Sequence, residues 1–149
     1  PASCRMGAIL PDASEAQQDC VFRLGQYLGI AFQVVDDTLD YTANGASLGK
    51  TLGQDLRQGK ATLPLLHLLS HCSDRDRQMI KDRMETRTLT EGDLQRLIDL
   101  MDESGSIVYA LHHAQAYITA AKRELRQFEE STAKRALSVT ADYMVTRDR

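Results

Sequence analysis

Tryptophan is absent from this 149-residue chain, and phenylalanine and proline occur only three times each. Aromatics and β-branched runs are scarce while Ala, Leu, Gln, Arg and Glu are frequent, which disfavours a sheet and leads us to expect an all-α fold. No apolar stretch is long enough to cross a bilayer and no segment is of low complexity, so neither membrane spanning nor disorder is expected. Positive charge is not in excess either: 18 Lys and Arg stand against 21 Asp and Glu, a net charge of −3. Binding to a phosphate backbone demands a basic excess, so nucleic acid is not the expected partner. The three cysteines, Cys4, Cys20 and Cys72, are odd in number and widely spaced, with no CxxC pair. They read as buried or idle thiols in a reducing compartment, and a cytoplasmic location is expected. The opening PASCRMGAIL lacks the basic lead and apolar length of a secretory signal and starts at Pro1 rather than Met, so the chain reads as a piece of something longer.

What is present divides into helices and one long loop, with neither an internal repeat nor a linker, so 1–149 is read as one domain. Pro11 to Ser14 is a break, and Asp12 or Ser14 can cap a long helix running through Asp40. From Tyr41 to Lys60 the stretch YTANGASLGKTLGQDLRQGK holds four glycines and no apolar period, and reads as an extended loop with at most one helical turn. Loops of that length in compact domains are usually functional or disordered. Thr62 is a candidate cap for the Leu-rich segment that follows, and Pro64 is tolerated in its first turn. Further helices are expected from Asp74 to Arg83, after Thr90 with Asp93 three residues on, after Gly105, and from Thr132 to Val145.

The segment LGIAFQVVDDTLD, Leu28 to Asp40, is the most informative. Apolar residues lie on nearly every side of this helix, as in a bundle interior. At about 100° per residue, Gln33, Asp36, Asp37 and Asp40 share one stripe about a quarter-turn wide. Carboxylates held together in such an interior repel and lose hydration, which protonation or a bound cation relieves. With neither Cys nor His among them, Mg²⁺ or Mn²⁺ suits the donors better than Zn²⁺. The alternative is a solvated helix end that binds nothing, but negative charge at a helix C-terminus opposes the dipole unless something offsets it.

The loop after the acids carries Lys50, Arg57 and Lys60 beside glycines, where backbone can approach an anion closely. Acids with a bound divalent ion next to lysines describe a diphosphate site; ordinary solvated lysines on a surface loop are the alternative. GASLGKT, Gly45 to Thr51, is not a nucleotide-binding P-loop: only three residues separate the glycines, and it follows an acidic helix rather than a strand.

At these residues the chain resembles the C-terminal half of the trans-type polyprenyl diphosphate synthases. LGIAFQVVDDTLDY is similar to that family's second aspartate-rich motif, and LGKTLGQDLRQGKATLPLL to its lysine loop and following helix; GAIL and the terminal ADYMVTR also fit. The resemblance implies a helical bundle of the isoprenoid synthase type, of which only the C-terminal half is present, and it implies a homodimer. It implies Mg²⁺-dependent condensation of isopentenyl diphosphate with an allylic diphosphate to a longer linear product. By position, Asp36 would be a direct Mg²⁺ ligand, with Asp37 and Asp40 completing the site directly or through water. Gln33 would orient the allylic diphosphate, and Lys50 and Lys60 would contact it. The family's first aspartate-rich motif, the arginines after it and its upstream Lys-Thr pair have no counterpart in these residues. The expected site is therefore completed by an N-terminal half; a non-catalytic subunit or inactive fragment is the alternative, and a terpenoid cyclase a third reading that the lysines disfavour.

Other features read as structural. His67 and His71, four apart on one helix, have no third ligand at a recognisable offset. His112 and His113 point about 100° apart and read as surface or packing residues. Arg147 and Arg149 suit the C-terminal end of a helix dipole.

Overall fold

The computed structural model describes residues 1–9, 12–42 and 52–146. These form eight helices: α1 (Ala2–Ile9), α2 (Glu15–Thr42), α3 (Gln54–Arg57), α4 (Leu63–His71), α5 (Asp74–Thr86), α6 (Glu91–Glu103), α7 (Ser106–Leu125) and α8 (Thr132–Thr146). No strand occurs among the described residues, as the composition leads one to expect. No helix among them is long and apolar enough to cross a membrane. The chain divides into two compact units, Pro1–Val35 with His112–Arg149, and Asp36–Leu111.

In the first unit, Ser14 rather than Asp12 starts α2. Its Oγ accepts from the Gln17 N–H at 3.4 Å while Gln17 Oε1 accepts from the Ser14 N–H at 3.1 Å, a reciprocal cap that satisfies two otherwise orphaned donors. Asp12 instead takes a left-handed turn, φ 58°. Helix α1, which the sequence reading missed, buries none of its residues, so no apolar stripe announces it. It lies against α2 where Gly25 leaves room for Cys4: a Cβ at Gly25 would come within 2.6 Å of the Cys4 Sγ. The core is made by Leu24 with Ala121 and Leu125, and by Ala31 with Ile118 and Ala141. The small alanines let these helices approach closely, and the Arg23 guanidinium donates to Glu124 at 2.9 Å beside them.

The second unit has the larger apolar cluster, in which Tyr41, Leu56, Leu65, Leu68, Ile80, Leu89, Leu94, Leu97, Leu100 and Met101 are buried. In α6 the buried positions Leu94, Leu97, Leu100 and Met101 follow the helical repeat, and Thr90 with Asp93 closes the expected capping box. Pro64 falls in the first turn of α4, where no intrahelical donor is lost. Thr62 precedes it at the cap position but makes no capping bond; its buried hydroxyl pairs with the Tyr41 hydroxyl instead. In the stretch read as a loop from Tyr41 to Lys60, α2 continues to Thr42 and α3 supplies the one helical turn expected there; residues 43–51 lie outside the described residues.

Candidate functional site

The polar stripe lies on the last turns of α2. Asp36 is exposed, Asp37 and Asp40 are half-buried, and Gln33, one turn earlier and within the first unit, is exposed. The expectation that all three acids are enclosed in a bundle interior is corrected for this chain: Asp36 is exposed and Asp37 and Asp40 only half-buried, while the buried positions of this stretch are Val35, Thr38 and Tyr41. Among the described residues, no three Asp, Glu, His or Cys side chains are grouped closely enough to hold one metal ion.

The structure ties the end of the stripe to the segment that follows. The Gly53 N–H donates to the Asp40 carbonyl at 3.0 Å, and the Asp55 N–H donates to the Asp40 carboxylate at 2.8 Å. The first bond satisfies one of the last carbonyls of α2, which have no intrahelical donor. Gly53 adopts φ 70°, and a Cβ there would lie 2.3 Å from the Leu94 Cδ1, so this junction requires glycine for its conformation and for its space. Past α3, Gly59 reverses the chain at φ 74°. The Lys60 N–H then donates to the Asp55 carbonyl at 2.9 Å, and its ammonium donates to the Asp55 carboxylate at 2.6 Å.

Lys60 thus stands in a field of acids. The bond to Asp55 raises its pKa first, Asp55's charge adds to that, and the charges of Asp37 and Asp40 add further. Burial dominates at Tyr41 and raises its phenol, against the bond from Thr62, with Asp40, Asp55 and Asp37 raising it too. Lys60 therefore brings positive charge near the acids at the end of α2, and it is held by a fourth carboxylate, Asp55, which sequence reasoning did not single out. Its signal was available in GQDLRQGK: an acid five residues before a lysine, between two glycines.

The Arg57 guanidinium donates to the Leu89 carbonyl at 3.2 Å and to Glu91 at 2.6 Å, so it joins α3 to the start of α6. Lys50 and the look-alike GASLGKT lie outside the described residues, as do Arg147 and Arg149. His67 and His71 stack on each other with ring centroids 4.1 Å apart, and His67 also stacks on Tyr109 at 4.1 Å. The His67 Nδ1 pairs with the buried Ser106 hydroxyl at 2.9 Å, which makes it a packed residue of its unit. His112 and His113 are exposed.

Comparison with known proteins shows the family. Residues 1–101 match the polyprenyl synthetase family. Octaprenyl diphosphate synthase of Haemophilus influenzae is 38% identical over 141 residues, covering 95% of this chain and 43% of that protein. Heptaprenyl diphosphate synthase component 2 of Bacillus subtilis is 30% identical over 145 residues, covering 97% of this chain and 40% of that protein. A crystal structure of polyprenyl synthase from Caulobacter crescentus, complexed with calcium and isoprenyl diphosphate, superposes with a TM-score of 0.88 at 34% identity, over 97% of this chain and 44% of that one. The chain therefore spans less than half the length of these relatives. With the match extending over more than half of its residues, this protein belongs to the polyprenyl synthetase family.

Proposed function

We propose that this chain contributes the second aspartate-rich part of a prenyltransferase site, where isopentenyl diphosphate condenses with an allylic diphosphate to give a longer linear trans-polyprenyl diphosphate. The observation that carries the reading is the junction of α2 with α3, where Asp55 accepts from the Lys60 ammonium and gives its N–H to the Asp40 carboxylate, with Asp37 and Asp40 near enough for their charges to act on the lysine. Carboxylates and an ammonium side by side are what a metal-bridged diphosphate requires, since acids alone would repel it.

The donors fit Mg²⁺ in kind. Asp36, Asp37 and Asp40 offer only hard carboxylate oxygens, and the exposure of Asp36 leaves it accessible to an ion that keeps part of its water shell. Asp36 would hold the ion directly. Asp37 and Asp40 would do so directly or through water, Asp40 while its other task is to accept the Asp55 N–H. Bound there, Mg²⁺ would supply charge neutralisation of the departing diphosphate. Gln33 would orient that group with its amide, and Lys50 and Lys60 would take up charge on its oxygens. Pairing with an N-terminal half that carries the first aspartate-rich motif would complete the site.

The test is prenyl transfer from an allylic diphosphate by the complete enzyme carrying Asp36→Ala. Loss of an electrostatic group at such a site lowers the rate by about 100-fold or more, and an unchanged rate overturns the reading. A linear rather than a cyclic product in the same assay separates it from a cyclase. The second reading is a non-catalytic subunit: a relative is named as component 2 of its synthase, so members of this family occur as parts of an assembly. Activity on mixing the chain with an N-terminal half supports the catalytic reading, whereas a mixture that associates and stays inert supports the subunit.

A further inference from the structure

We infer that Asp55 is a positioning residue that holds the Lys60 ammonium beside the aspartate stripe of α2, and that Asp40 is the anchor that fixes Asp55. The inference rests on the diphosphate-site reading above and adds to it a residue through which that site would be ordered.

The argument starts from what Lys60 is by itself. A lysine side chain is a point charge on a flexible four-carbon stem, and its side chain here remains 58% exposed. Nothing in its own backbone segment directs that charge, since the preceding Gly59 turns the chain with nothing packed within 4 Å of where a Cβ would be. What restrains it is Asp55. The lysine backbone donates to the Asp55 carbonyl at 2.9 Å and its ammonium to the Asp55 carboxylate at 2.6 Å, so one residue is gripped at two points. The Asp55 side chain is only 17% exposed, so the lysine meets an acceptor that is itself partly enclosed.

Asp55 has its own support. Its N–H is taken by the Asp40 carboxylate at 2.8 Å, and the neighbouring Gly53 N–H by the Asp40 carbonyl at 3.0 Å. Behind these bonds, Leu56 is buried at 1% exposure in the apolar cluster and Gly53 is pressed against Leu94. A rigid core thus holds α3, α3 presents Asp55, and Asp55, itself bonded to Asp40, holds the ammonium near enough to the stripe for the charges of Asp37 and Asp40 to act on it. A group that already stands where an anion must bind loses less freedom on binding it. An ion pair with Asp55 that only competed with the incoming anion for the ammonium would have the opposite effect, a lower KM when Asp55 is neutralised.

The experiment is a double-mutant cycle in the complete enzyme with Asp55→Asn and Lys60→Ala, read as KM for the allylic diphosphate and as kcat. Asp55→Asn keeps the backbone N–H that Asp40 accepts, so the α2–α3 junction is preserved. Expected is a rise in KM of about tenfold for Asp55→Asn, the scale seen when the partner that orients a ligand is removed. The same change made in Lys60→Ala should have almost no further effect. Asp55→Glu, which restores the charge, should recover part of the loss. An equal effect of Asp55→Asn in both backgrounds overturns the inference, and so does a lowered KM, which would make Asp55 a competitor. If Lys60→Ala leaves KM unchanged while Asp36→Ala abolishes transfer, the inference falls and the prenyltransferase reading stands. If neither change affects transfer, both fall.

Discussion

Replacing Gly53 by alanine separates two physical costs that usually arrive together. At φ 70° an alanine pays the left-handed penalty, about 1–2 kcal/mol. Its Cβ would also sit 2.3 Å from Leu94 Cδ1 and 3.0 Å from Cδ2, and Leu94 is 4% exposed within the core. Forcing such a side chain from its place adds about 1–3 kcal/mol. Gly53→Ala should therefore destabilise by about 2–5 kcal/mol. Gly59 supplies the control: its φ is 74°, with nothing within 4 Å of the position a Cβ would take. Gly59→Ala should cost only the conformational part, about 1–2 kcal/mol. Urea unfolding of the full chain, with the slope checked for constancy, measures both. In a Leu94→Ala background the collision disappears, and Gly53→Ala should then cost no more than Gly59→Ala. Equal losses for the two glycines in the native background would refute the reasoning, because the steric component would be absent.

Other outcomes follow from single residues. Burial, with the charge of His71 second, lowers the His67 pKa from 6.5, and the groups it meets are His71, Tyr109 and Ser106. A depressed folded pKa means that the unfolded chain binds the proton more readily, so stability is complete above about pH 6.5 and is lost as pH falls through the folded value. His67→Gln should flatten that part of a urea-midpoint profile against pH, and an unchanged profile would assign the dependence elsewhere. Cys20 is buried, donates to the Glu124 carbonyl at 3.2 Å, and has its thiol pushed up to about 11, chiefly by burial. Alkylation of the native protein at pH 8 should modify the exposed Cys4 well before Cys20, as read by mass spectrometry of peptides. Thr90→Ala removes the side chain that accepts the Asp93 N–H at 3.1 Å and should cost about 1 kcal/mol in the same unfolding assay.

Much of this arrangement was legible where the governing interaction is local. Thr90 and Asp93 are three residues apart, so the pattern that defines that cap is written contiguously, whereas at the start of α2 the structure chose Ser14 over Asp12. The acid stripe was legible for the same reason, since helical periodicity alone puts Asp36, Asp37 and Asp40 on one side. Helix α1 was not, because it buries none of its residues and so shows no apolar stripe. Nor were the partners of Arg57, because Leu89 and Glu91 lie more than thirty positions away.

The order of helices and the residue types that converge at the end of α2 were determined by the sequence by itself, through periodicity, caps and the family pattern. Tertiary structure alone decided how open the acids are and which partner each charge takes. Exposure of Asp36, the bond from Asp55 to Asp40 and the capture of Lys60 depend on where the chain returns after Thr42. That return is set by the packing of Leu56 and Gly53 against residues of α6, contacts between positions far apart in the chain, on which no local propensity reports.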